Sequence, residues 1–237
     1  MMPRVLAFDV FGTVVDWRSG ITRESAGFLA RIGRSDIDAA TFADAWRARY
    51  QPAMAAVREA KRPYVIMDVL HREMLEAVLI ERGIKPAALD PAVLEDWTCA
   101  WHRLDPWPDV IEGLSRLRAR FPVVTLSNGN IALMLAMARH GGFTWDAILG
   151  AEVTRTYKPA PEAYLTTAAI LAVAPAELCL VAAHHSDLGA ARRTGLLTAF
   201  VDRPMERGGA AAPDRDQRED WDWQTNSLID LAVQLGC

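Results

Sequence analysis

Four short polar clusters interrupt apolar runs in this 237-residue sequence, and they hold the residues best suited to chemistry. Asp9, with Gly12 and Thr13, follows Val5-Leu6-Ala7-Phe8; Ser127, Asn128 and Gly129 close "PVVTLSNG". Lys158 comes after "GAEVTRTY", ahead of Pro159 and Pro161, while His184, His185 and Asp187 follow "LVAA". None of the four contains a P-loop or a dinucleotide glycine fingerprint. The chemistry on offer is that of carboxylate, hydroxyl, amide and ammonium groups. Taken singly, each cluster has a plainer reading: a turn at Asp9, a helix cap at Ser127, a solvated lysine at Lys158. The two histidines are a poor metal pair, because adjacent strand-end residues point apart and no third ligand is in view. Their joint occurrence favours one site.

The elements that must position these clusters can be read from periodicity. A continuous apolar run bounded by a turn signal is what a strand covered on both faces looks like, so Val5 to Phe8 predicts a buried parallel strand. From Val110 onward helical and strand patterns alternate: helices over Val110 to Phe121 and Ile131 to His140, and from Pro161 and Asp187; strands at "PVVTLSN", "AILGAE", "LCLVAA" and "LLTAFVD". Such alternation predicts crossover units and a parallel sheet. Ligands bind outside the carboxyl ends of such strands, where the four clusters fall. Between Ser19 and Leu104 the pattern is helical, with Met67, Leu70, Met74, Leu75, Val78 and Leu79 on one face. The predicted division is a catalytic core of residues 1–16 and 105–237 and a helical insertion of residues 17–104. Trp97, Trp101 and Trp107 are expected to pack, and "RGGAAAPDRDQREDWDW" (207–223) to be a solvated connection.

Composition narrows the class. Apolar residues make up 51% of the chain, enough for a proper core, and the net charge of −4 comes from interspersed groups. A basic footprint for nucleic acid is missing. Cys99, Cys179 and Cys237 are odd in number and lack C-x-x-C spacing, which fits a reducing compartment and predicts a cytoplasmic protein. No apolar run is long enough for a signal peptide or a membrane span.

"DVFGT", "LSNG", "YKPAPEAY" and "HHSDL", in that order and at those strand ends, resemble the haloacid dehalogenase superfamily over essentially the whole chain. The resemblance implies a Rossmann-like α/β core with strand order 5-4-1-2-3, a helical cap and Asp9 as nucleophile. Phosphatases of this superfamily carry a second aspartate two residues after the nucleophile as general acid; here that position is Phe11, which cannot donate a proton. Halide departs without one. Phosphatases of this type also bind Mg²⁺ through more than one carboxylate, whereas "HHSDL" offers only Asp187. The branch resembled is therefore the L-2-haloacid dehalogenases, which use neither metal nor cofactor.

The expected reaction is covalent catalysis on a small haloacid. Asp9 displaces halide in line and water then hydrolyses the aspartyl ester, leaving a 2-hydroxy acid. A hydrated carboxylate is a poor nucleophile, so the cap must exclude water. Burial raises a carboxylate's pKa, so a cation is needed nearby, and Lys158 is the candidate among only three lysines. Thr13, Ser127 and Asn128 can donate hydrogen bonds to Asp9, the substrate carboxylate or the ester. By resemblance, Asp187 joins the catalytic group, Arg47 of "WRARY" holds the halide or the substrate carboxylate, Tyr164 packs near the lysine, and Val10 and Phe11 face the substrate. His184 departs from the dehalogenase pattern, which has asparagine there; haloacetate- and fluoroacetate-active relatives resemble this chain in having histidine, and C–F cleavage enters the expected range. A homodimer is also implied. The alternatives are a phosphatase, a hydrolase of strained cyclic amino acids and, more remotely, a non-enzymatic interaction protein.

Overall fold

The computed structural model describes residues 2–237. In chain order the elements are β1 (Val5–Phe8), α1 (Trp17–Arg31), α2 (Ala39–Ala48), α3 (Tyr50–Arg58), α4 (Met67–Glu81), α5 (Pro91–Thr98), α6 (Val110–Arg118), β2 (Val123–Thr125) and α7 (Ile131–Gly141). They continue with α8 (Ala151–Thr154), α9 (Pro161–Ile170), β3 (Leu178–Ala182), α10 (His185–Arg193), β4 (Leu197–Val201), β5 (Trp223–Thr225) and α11 (Leu228–Gln234).

The five strands form one parallel sheet in the order β2-β1-β3-β4-β5. β1 lies inside it, with Leu6 opposite both Val123 and Cys179. All residues of β1, β2 and β3 are buried, as expected of strands covered by helices on both faces.

One strand differs from the expectation. The segment "AILGAE" contributes only two isolated parallel bridges, Val124 to Ala147 and Ser127 to Gly150, before turning into α8. The Thr125 hydroxyl donates to Leu149 O (2.7 Å) and accepts from Leu149 N (2.9 Å), so a side chain takes over bonds that a ladder would have made. The fifth strand is instead β5, added beyond β4 at the opposite edge and starting at Trp223, the last residue of the segment expected to be a solvated connection.

The helices α1 to α5 and a 3₁₀ turn over Cys99–Arg103 lie between β1 and α6. The two segments joining them to the sheet are tied together, Asp16 N donating to Asp105 O and Trp107 N to Val14 O, both at 3.0 Å. Asp16 also caps α1 by accepting from Ser19 N. The α4 face expected from periodicity is buried at every position. Opposite it, Trp97 stacks between Phe28 and Phe42, with ring centroids 5.2 and 5.0 Å away, and Trp101 stacks on His71 at 4.5 Å. Trp107 packs partly and also donates to Gly12 O at 2.9 Å.

Candidate active site

β1 ends by delivering Asp9 into the crevice between β2 and β3, its backbone N–H donating to Val181 O at 3.0 Å. The carboxylate is only 7% exposed and fully engaged. Oδ1 accepts from Lys158 Nζ at 3.0 Å; Oδ2 accepts from the Thr13 hydroxyl at 2.8 Å and faces His184 Nδ1 at 3.1 Å. Thr13 Oγ1 itself accepts from Ala183 N (2.9 Å), which commits its one hydrogen to Asp9. Gly12, at φ +89°, turns the chain so that Thr13 comes back over Asp9.

Lys158, between α8 and α9, also donates to Asp187 Oδ2, and Tyr164 from α9 donates its hydroxyl to Asp187 Oδ1 at 2.6 Å. Asn128 Oδ1 accepts from Lys158 N at 2.8 Å and Arg58 donates to Lys158 O at 3.2 Å, so the lysine backbone is held from both sides. His184 immediately precedes α10 with extended backbone, and its Nε2 lies 3.1 and 3.2 Å from the two carboxylate oxygens of Glu206. Ionised carboxylates only accept, so both ring nitrogens must carry hydrogen and His184 is an imidazolium between two anions.

Charge accounts for the titration of the group. Burial alone would raise the Asp9 pKa, but the Lys158 charge and the His184 hydrogen bond overturn it and hold the carboxyl well below its usual range. Burial would likewise lower His184, yet Glu206 and Asp9 raise it well above an ordinary imidazole. Glu206, despite burial, is brought down to about 2 chiefly by the His184 charge. Lys158 is raised by Asp187 and Asp9 against its own desolvation.

A cavity of about 430 Å³ opens over these groups, walled by Asp9, Lys158 and His184 below and by Phe11, Arg47 and Tyr50 above. The Arg47 guanidinium, from the last turn of α2, lies 4.0 Å from the Tyr50 ring centroid, with Trp17 at 5.2 Å and Phe11 at 5.9 Å. Its Nη1 is buried without a hydrogen-bond partner. An aromatic cradle leaves that cation free for an anion.

Of the expected site residues, Asp9, Phe11, Arg47, Asn128, Lys158, His184 and Asp187 wall this cavity. Thr13 and Tyr164 reach it through Asp9 and Asp187. The other two do not line it. The Val10 side chain is buried in the hydrophobic core, and its carbonyl accepts from Val14 N and Val15 N. The Ser127 hydroxyl accepts from Gly129 N at 3.1 Å and makes no bond to Asp9. His185 is turned away, stacked 4.4 Å from Phe200 and accepting from Trp221 Nε1.

The reading of the 207–223 segment as a plain solvated connection is corrected too. Asp214 accepts from both N and Oγ of Ser186 (2.9 and 2.8 Å), Arg207 lines the cavity, and Trp221 is buried. Just ahead of it, Glu206 is buried although nothing in "RPMERGG" marks a buried residue.

A parallel α/β sheet of Rossmann-like build, with its polar residues converging at the carboxyl ends of β1, β2 and β3, defines the class. Residues 3–195 match the haloacid dehalogenase-like hydrolases, and the chain belongs to that family. It is 30% identical over 204 residues to an (S)-2-haloacid dehalogenase of Xanthobacter autotrophicus, covering 85% of this chain and 76% of that protein. The crystal structure of a defluorinating L-2-haloacid dehalogenase superposes with a TM-score of 0.95 at 47% identity, covering 99% of this chain and 96% of the other. A second L-2-haloacid dehalogenase structure gives 0.92 at 44%, covering 98% of each.

Proposed function

We propose that this chain is an (S)-2-haloacid dehalogenase that converts short-chain 2-haloacids or haloacetates to 2-hydroxy acids through an ester on Asp9, without a metal. The observation that carries the reading is a buried carboxylate, held ionised by Lys158 and His184, facing a cavity roofed by an unpartnered arginine. Asp9 attacks the halogen-bearing carbon; the carbon–halogen pair leaves with the halide toward Arg47, and the carbon inverts. Residues 17–104 act as a cap that keeps the nucleophile dry, and the aromatic wall of Phe11, Trp17 and Tyr50 serves the same end.

The donor set supports the absence of a metal step. Lys158 Nζ already stands between Asp9 and Asp187, and Phe11 occupies the position of a phosphatase acid. Fluoroacetate belongs in the substrate range on the strength of the defluorinating relative at 47% identity. Halide release with excess EDTA, offered (S)-2-chloropropionate, chloroacetate and fluoroacetate, tests the reading. Release that vanishes in Asp9→Asn supports it; metal-dependent phosphate release with no halide from any of the three sinks it.

A further inference from the structure

Once Asp9 has become an ester it no longer carries the charge that faces His184. Glu206 then remains as the anion bonded to that imidazole. Its carboxylate is built into place: Trp17 Nε1 donates to Oε1 at 2.8 Å, and the residue is 4% exposed. A Cβ on Gly12 would lie 2.3 Å from Oε1, so the glycine is what admits it. The segment carrying Glu206 is pinned beside it by Arg203, whose Nε donates to Thr13 O at 2.9 Å.

The two oxygens of Asp9 are not equivalent. Oδ1 receives Lys158, whereas Oδ2 receives both Thr13 and His184. Resting on the dehalogenase reading above, we propose that Glu206 is a positioning residue that holds His184 as a doubly protonated donor on Asp9 Oδ2. There His184 and Thr13 bind the oxyanion formed when water attacks the ester. Oδ1 carries the substrate carbon. Water oxygen bonds to Cγ and the C=O electron pair moves onto Oδ2. That pair then re-forms the carbonyl as the Cγ–Oδ1 bond breaks. The departing alkoxide takes one proton of the water, the second goes to solvent as Asp9 ionises, and His184 keeps both of its own. Charged donors in a dry site stabilise such an oxyanion strongly, removal of one donor slowing the step about 10² to 10³-fold.

The charged groups around His184 are Asp9 just after β1, Glu206 from the segment after β4 with Arg47 behind it, and Lys158 on the far oxygen of Asp9; the titratable neighbour His185 on α10 is lowered chiefly by burial. Single-turnover kinetics with (S)-2-chloropropionate separate halide release from ester hydrolysis, the latter read by the mass of the alkylated chain. Wild-type hydrolysis should be flat from about pH 6 through and beyond the ordinary imidazole titration near 6.5. Glu206→Gln should lose hydrolysis far more than alkylation, about 10²-fold at the alkaline end, with the rate falling as pH rises and the ester accumulating. A variant rate that rises with pH, as for a general base, or one that matches wild type overturns the proposal.

Imidazole NMR in Asp9→Asn, which imitates the uncharged ester, needs no turnover. His184 should stay charged well above about pH 6.5 there and titrate below that value once Glu206→Gln is added, because burial is then unopposed. Ordinary titration in Asp9→Asn alone also overturns the proposal. Absence of halide release from wild type would fail the dehalogenase reading, while the NMR arm still decides the Glu206–His184 coupling.

Discussion

At the scale of single residues, Asp9 is a contest between burial and neighbouring charge. Removing an ion from water penalises it by several kcal/mol, and an ammonium at 3.0 Å returns on the order of 5 kcal/mol at an effective dielectric of about 20. Lys158 serves Asp9 and Asp187 at once, so Lys158→Met leaves Asp187 without its cation and Asp9 with His184 alone. It is expected to lower unfolding free energy by about 3–5 kcal/mol in urea titrations and to raise the apparent pKa of Asp9 in the pH profile of halide release. Gly12→Ala should destabilise by about 1–3 kcal/mol, read as a lower Tm, since the residue combines φ +89° with contact on the Glu206 carboxylate.

At the scale of elements, apolar periodicity and local turn chemistry explain most of what forms. α4 is amphipathic enough for every apolar residue on its predicted face to be buried, and Asp16 and Asp38 cap α1 and α2 by accepting from Ser19 N and Thr41 N. Trp97 joins α5 to α1 and α2 through its stacks on Phe28 and Phe42. Trp97→Ala should cost about 3–5 kcal/mol in equilibrium unfolding while leaving Asp9 and its donors in place. "AILGAE" reads as a strand because its apolar content is right, yet Gly150 at φ +134° and the Thr125 side chain divert it. "WQT" is short and was hidden in a charged stretch, but it finds a free edge at β4.

At the scale of the whole molecule, the charge cluster makes stability depend on pH from both sides. Asp9 and Glu206 titrate below their unfolded values of about 3.9 and 4.3, so their contribution is present above those values and is lost as acid carries the pH through the folded ones. His184 titrates above its unfolded value of about 6.5; its contribution is full below that value and is lost as pH rises through the folded one. The stability advantage of wild type over His184→Gln is therefore expected to be greatest between about pH 5 and 6.5 and to shrink toward alkaline pH, as urea midpoints across that range would report. Among the described residues no helix is long and apolar enough to cross a membrane.

Asp9, Thr13, Asn128, Lys158, His184 and Asp187 were legible from the sequence because a parallel sheet brings the carboxyl ends of neighbouring strands together, and each lies beside a strand-like apolar run. Periodicity likewise determined the buried face of α4 and the helical character of residues 17–104. Tertiary structure alone decided where a side chain without a local pattern would go. Only it turned Val10 into the core, left Arg47 Nη1 without a partner, and set His184 toward Asp9 but His185 toward Trp221. It also brought Glu206 across 22 residues to His184 and across 189 to Trp17. The physical reason is range: backbone propensity and alternation act over a few residues, whereas pairing a buried charge depends on whichever segment the completed fold lays beside it.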